Sequence, residues 1–217
     1  MQNRKYYLFI IIATLFVIKA EEIPEPYRSI NILPEDLHGW LTDINKKYLK
    51  QIIHKLNPTL IVELGTWLGK SALFMAEVSN EHCKIFAIDD WTASTDSSIQ
   101  HDHQACQKLK NLYQQFLSNV IHHGFTAKII PIRKKTVEAA LSLKINPDLI
   151  YVDASHEEEN VYQDIMHWYP KLKIGGVMCG DDWDAPSIKK GVFRAAKELN
   201  VSALGDASFW WFPGKSS

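Results

Sequence analysis

Four short apolar runs in this sequence close on carboxylates: Glu63, Asp89, Asp153 and the pair Asp181-Asp182. Carboxylates attract cations and accept hydrogen bonds from amines and hydroxyls. Asp153, Asp181 and Asp182 are the candidate metal set, because three oxygen donors can hold Mg2+ or another divalent cation while water and a substrate oxygen complete its shell. Such a charge lowers the pKa of a bound hydroxyl and neutralises the alkoxide as it forms. A structural role competes with this one: Asp153 can cap the helix that follows it, and Asp182 can bond a loop amide. His156 lies three positions after Asp153 and titrates where a general base must. It can equally cap the next helix or bond Asp182. His101 and His103 flank Asp102 in the polar stretch 92–103, read as a loop beside the site. Ser155 lacks the glycine-flanked elbow of a nucleophilic serine.

The first acidic strand end also begins a glycine turn, Glu63-Leu64-Gly65-Thr66-Trp67-Leu68-Gly69-Lys70-Ser71. Gly65 can take a backbone angle closed to bulkier residues, and Gly69 lets the next helix start close to whatever occupies the turn. A strand, a glycine turn and a helix N-terminus with free amides together can receive a nucleotide-like ligand. The spacing is not the dinucleotide fingerprint. Gly69-Lys70-Ser71 shares the ending of the phosphate loop, but position 64, where that motif needs its first glycine, is Leu64. Glu63 would moreover repel phosphate while attracting a cation, an amine or ribose hydroxyls.

The elements that position these residues follow from apolar patterning. A helix is expected from about Leu37 to Leu56, stopped by Pro58, and strands at Leu60–Leu64, Ile85–Asp89, Lys128–Ile132, Leu149–Val152 and Val177–Cys179. Helices are expected at Lys70–Val78, 104–120, Thr136–Leu143, Val161–Leu172 and Ile188–Leu199, with Val201–Leu204 and Ser208–Phe212 as closing strands. The strands do not alternate polar and apolar, so they are buried on both faces, and the repeated strand-helix order predicts an α/β fold with a mostly parallel sheet covered on both sides. In such a sheet the ligand crevice lies beyond the strand ends that carry these acids.

With 217 residues and 46% hydrophobic content, the chain suits one globular domain, and its net charge of -1 offers no basic field for nucleic acid. Cys83, Cys106 and Cys179 have neither metal spacing nor a disulfide framework. Residues 1–20 are read as a signal peptide or N-terminal membrane anchor, since Arg4 and Lys5 precede the apolar run Tyr6 to Ile18. The division expected is leader 1–20, linker 21–36 and catalytic domain 37–217. That leader favours an exported or membrane-associated protein, with membrane association through residues 6–18, over a cytoplasmic one.

The ordered set of motifs resembles a class I S-adenosylmethionine-dependent methyltransferase, and within that class the macrocin-type sugar O-methyltransferase and cephalosporin-hydroxylase-like group. The resemblance runs from about residue 58 to 199, through Glu63 to Ser71, Ala87-Ile88-Asp89-Asp90-Trp91, Phe116, Asn119-Val120 and Asp153-Ala154-Ser155-His156, then Asp164, Trp168, Pro170-Lys171-Leu172, Gly175-Gly176-Val177 and Asp181-Asp182-Trp183. It implies a Rossmann-like seven-stranded methyltransferase sheet with S-adenosylmethionine over its first two strands. Glu63, Gly65, Thr66, Trp67, Gly69 and Ser71 would surround the methionine part, Asp89 would receive the ribose hydroxyls and Trp91 would border adenosine or pack as a wall. Asp153, Asp181 and Asp182 match the group's metal-binding acids, with Asp153 and His156 as the catalytic pair. Ala154 and Ser155 depart from the family pattern, which places the base role on His156. The implied reaction is O-methylation of a sugar or another small hydroxylated compound. The alternatives are a catalytically idle cofactor-binding module, or a hydroxylase-like or N-methyltransferase member of the fold.

Overall fold

Short apolar segments with no polar alternation can satisfy their backbone only inside a covered sheet. In the computed structural model, which describes residues 23–92 and 109–216, they form one sheet of seven strands. These are β1 Leu60–Leu64, β2 Lys84–Asp89, β3 Ile129–Arg133, β4 Leu149–Val152, β5 Val177–Gly180, β6 Leu204–Asp206 and β7 Phe209–Trp211. Their order is β3-β2-β1-β4-β5-β7-β6. The first five are parallel, and β7 runs antiparallel to both of its neighbours.

Among the described residues six helices cover the sheet: α1 Asp43–Leu56, α2 Lys70–Val78, α3 Leu112–His122, α4 Thr136–Ser142, α5 Glu158–Trp168 and α6 Pro186–Leu199. Alternate residues of each strand feed opposite faces. Ile61, Leu149, Tyr151 and Cys179 join α1, α2 and α3 in one core, whereas Val62, Leu64, Ile150 and Met178 join α4, α5 and α6 in the other. Complete burial of each large aliphatic side chain contributes roughly 1.5–3 kcal/mol, so these two layers hold the strand ends in register.

Where elements differ from the patterning, the cause is local. The first helix starts at Asp43 and not at Leu37, because the Thr42 side chain caps it by accepting from the Asn45 amide at 3.2 Å. The residues before it run as a strap pinned by one side of α3. Gln114 donates to the Asn31 carbonyl at 2.7 Å, Gln115 to that of Pro34 at 2.8 Å, and Asn119 to those of Asp36 and Leu68 at 2.7 and 2.8 Å. At the other end, Asn200 closes α6 in the left-handed region and the Val201 amide returns to the Ala196 carbonyl. That leaves a short hairpin, with Trp210 in one core and Trp211 stacked on Tyr48 beside the other.

The expected membrane association and the localisation built on it are corrected: among the described residues no helix is long and apolar enough to cross a membrane. The physical reason is visible in the run itself, since Tyr6 to Ile18 is shorter than the roughly 20 apolar residues that span a bilayer. The leader 1–20 lies outside the described residues, as do His101, Asp102, His103 and Cys106.

Candidate active site

The carboxyl ends of β2, β1, β4 and β5 stand side by side, with Leu64 opposite Ile88 and Val152, and Val152 opposite Gly180. After β1 the chain crosses to one face of the sheet as α2, and after β4 to the other as α5. This reversal opens the crevice in which α/β sheets bind ligands.

The turn between β1 and α2 is built on two glycines in the left-handed region, Gly65 at φ +80° and Gly69 at φ +91°. A side chain on Gly65 would place its first carbon 2.1 Å from the Asp153 carbonyl oxygen, so this glycine is what lets β1 and β4 finish against each other. Beneath the turn the wholly buried Glu63 accepts from the hydroxyls of Thr66, at 2.9 Å, and Ser71. Asp89 fastens the turn from β2: one of its oxygens accepts from the amides of Thr66 and Trp67, both at 2.9 Å, and the other from the amide of Trp91 at 2.7 Å. Trp91 is buried against Tyr113 and Phe116 and donates its indole N–H to the Trp67 carbonyl at 2.8 Å. The loop and the end of β2 are therefore one hydrogen-bonded unit.

Across the crevice, one ligand oxygen from each of Asp153, Asp181 and Asp182 lies within 4.8 Å of the others. Asp182 takes φ +57°, its amide donates to the Asp181 carboxylate at 2.7 Å, and its own side chain reaches the loop after β4. There it meets the imidazole of His156 at 2.8 Å. Burial pushes the Asp153 carboxyl well above the usual carboxylate range, and the negative charges of Asp181, Asp182 and Glu63 push it further. Asp181 is raised by burial too, against hydrogen bonding from Asn45 and Ser208. Three ionised carboxylates crowded this closely repel one another. The small cavity above them has Val161, Ile188 and Trp210 as its apolar floor.

A protein-family model described as a methyltransferase domain matches residues 62–183, more than half of the chain and the whole of both clusters. The chain belongs to this methyltransferase family. The curated relative "uncharacterized protein y4gI" of Sinorhizobium fredii is 26% identical over 156 residues, which is 68% of this chain and only 16% of that protein. Among solved structures, the O-methyltransferase TomG from Streptomyces achromogenes, in complex with SAM, superposes with a TM-score of 0.62 at 14% identity, covering 82% of both chains. Cofactor-bound Rv0187 from MTB gives 0.61 at 14%, covering 82% of this chain and 83% of that one. The Bacillus cereus O-methyltransferase in complex with SAH gives 0.57 at 13%, covering 87% of both. At such identities the likeness concerns the class I methyltransferase fold.

The expected site residues that the structure describes stand at the strand-end crevice in two groups: the turn with Asp89 and Trp91, and the acids with His156. Sequence reasoning missed a polar group that ties α1 to β4 and to the β6–β7 turn: the buried Asn45 and Tyr151 with the half-buried Ser208. The available signal was Asn45 itself, a polar residue four positions before Leu49 on the apolar stripe of α1.

Glu63 gives the methyltransferase a pH-dependent stability. Burial raises its folded-state pKa from an ordinary 4.5 to about 7, partly opposed by the Ser71 and Thr66 hydroxyls. Since the folded form holds the proton more tightly, the stability linked to this group is fully present below about pH 4.5 and lost as pH rises through about 7. The loss is at most about 3 kcal/mol for a shift of this size. The Glu63→Gln variant, still able to bond both hydroxyls, is expected to flatten the fall in melting temperature between about pH 5 and pH 8, measured without divalent cation or donor.

Proposed function

We propose that this methyltransferase transfers the methyl group of S-adenosylmethionine to a hydroxyl of a sugar or another small hydroxylated compound, assisted by a divalent cation such as Mg2+. The observation that carries this reading is the convergence of Asp153, Asp181 and Asp182 opposite the glycine turn. The donor set fits a hard cation, because it consists of carboxylate oxygens whose mutual repulsion such a charge relieves. The sequence resemblance to macrocin-type sugar O-methyltransferases supports the acceptor class, and complexes of similarly folded proteins with SAM and SAH support the donor.

In this reading Thr66, Trp67, Gly69 and Ser71 wrap the methionine end of the donor, with Gly65 shaping the turn and Glu63 holding two of its hydroxyls from below. Asp89 and Trp91 border the ribose and adenosine. When bound, the cation lowers the pKa of the acceptor hydroxyl and offsets its developing charge. Asp153, Asp181 and Asp182 would hold that cation, and alignment of the acceptor oxygen with the methyl carbon would supply much of the acceleration for a displacement at an already activated methyl. His156, whose Nε2 lies 2.8 Å from the Asp182 carboxylate, is the candidate general base for the acceptor proton. The S–CH3 bond breaks as O–CH3 forms, and S-adenosylhomocysteine leaves.

The test is a panel of sugars and small hydroxylated compounds assayed for S-adenosylhomocysteine release, with and without a stringent chelator. Chelation is expected to reduce turnover by on the order of 10²-fold or more and added Mg2+ to restore it. Equal rates with and without chelator contradict the metal-assisted version.

A further inference from the structure

We infer that Asn119 is a positioning residue for donor binding: it hitches the strap before α1 to the glycine turn, which makes donor affinity depend on the strap. The inference rests on the donor's place in that turn and extends the site to residues 31–40, ahead of the family-matched segment 62–183.

Asn119 is completely buried on α3, a helix that supplies no residue to either group of the candidate site. A buried amide costs free energy unless its polar atoms find partners, and it offers two N–H donors and two acceptor lone pairs. All four are used. Nδ2 donates to the Leu68 carbonyl at 2.8 Å and to the Asp36 carbonyl at 2.7 Å, while Oδ1 accepts from the Asp36 amide at 3.1 Å and from Gln115 Nε2 at 3.0 Å. One side chain therefore grips the backbone of the strap and a carbonyl inside the turn. The peptide unit is planar, so fixing the Leu68 carbonyl also fixes the Gly69 N–H, which donates to the Thr66 carbonyl at 2.8 Å. Phe116, three residues earlier on the same face of α3, presses on that glycine: a first side-chain carbon there would lie 2.9 Å from its ring.

Two further contacts join strap and turn. The Gly39 carbonyl accepts from Lys70 Nζ at 2.7 Å, and the Trp40 ring lies tilted against that of Trp67 with centroids 5.9 Å apart. Residues 31–42 form neither helix nor strand, so bonds made by side chains of other elements are what order them. A donor that fits the turn as the hitch shapes it stabilises the strap as well. By linkage, the hitched strap then raises donor affinity by the same factor.

Hydrogen exchange of the full chain with and without saturating S-adenosylhomocysteine tests this, alongside calorimetric titration of the same ligand into the unmodified chain, Asn119→Ala and Lys70→Met. In the unmodified chain the ligand is expected to slow exchange in the turn 65–71 and, by about 5-fold or more, in the strap 31–40. Asn119→Ala should raise the dissociation constant by a matching factor of about 5-fold or more and abolish the slowing in the strap, while the turn is still protected. A merely structural role would loosen the strap and leave the ligand's affinity unchanged. Unchanged affinity in folded Asn119→Ala, or a protected turn beside an unprotected strap in the unmodified chain, overturns the inference and leaves the donor's place intact. No uptake of the ligand, or protection that bypasses the turn, overturns the donor's place and this inference with it. Should Asn119→Ala fail to fold, Lys70→Met decides, since it cuts the tie to Gly39 from a half-buried side chain. There a rise of about twofold or more in the dissociation constant with weaker slowing in the strap is expected, and affinity equal to that of the unmodified chain overturns the inference.

Discussion

Asp153→Asn is expected to lower turnover by on the order of 10²–10³-fold while changing donor affinity by less than about threefold. Asparagine matches the shape of the side chain and removes only its charge. The backbone of position 153, whose amide donates to the Leu64 carbonyl at 2.8 Å, is left alone, so the glycine turn keeps its support. What goes is one of three carboxylates that together hold the cation, and with it the alignment of acceptor oxygen and methyl carbon. Stability should move the opposite way. Burial and three like charges hold the Asp153 carboxyl well above its ordinary range, so at neutral pH and without cation the neutral variant is relieved of repulsion and should melt higher. Steady-state kinetics, donor calorimetry and a thermal melt of the same preparation check all three signs. A variant that loses donor binding along with turnover would place Asp153 in the donor pocket instead.

Gly65→Ala is expected to cost about 4 kcal/mol or more, enough to unfold a large part of a protein whose total stability is typically 5–15 kcal/mol. Two effects combine. The backbone is at φ +80°, in the region that L-residues with a side chain occupy only with strain. The new methyl would also sit 2.1 Å from the Asp153 carbonyl oxygen and 2.5 Å from the Ala154 Cα, both backbone atoms directly after the end of β4. Gly175→Ala is the control: φ is +79° there, but nothing lies within 4 Å, so only strain of roughly 1–2 kcal/mol applies. Chemical denaturation of the two variants separates steric from conformational cost. Equal losses would mean that β1 and β4 can part without penalty.

The strand-turn-helix unit around Gly65 was legible because every level agreed. Leu60 to Leu64 is too short and too uniformly apolar for a helix, and the glycines fall where the chain reverses. The acids at the strand ends were legible for a similar reason, since an α/β sheet brings those ends together whatever their separation in sequence. The strap before α1 was not. Leu37, Trp40 and Leu41 fit helical spacing, yet the chain just before them is pinned at Asn31, Pro34 and Asp36 by side chains of α3 that come from the middle of the sequence. Ser208 was invisible for the same cause: its partners Asn45, Thr42 and Trp183 are set by tertiary packing, and a lone serine in a hairpin turn carries no local mark of them.

The pairing of His156 with Asp182 was one of several outcomes open to that histidine. Its place depends on the left-handed backbone at Asp182, a conformation unusual outside glycine and asparagine that sequence patterning does not encode.

The central claim is that a sulfonium donor above the glycine turn faces a cation gripped by the three acids. Crystals grown with S-adenosylmethionine and Mn2+, measured at the manganese absorption edge, test it most directly. The account predicts a single anomalous peak touching carboxylate oxygens of Asp153, Asp181 and Asp182, with the donor methyl pointing toward it from the Gly65 to Gly69 turn. Donor bound in that turn with no manganese at the acids, or manganese elsewhere on the molecule, would contradict it.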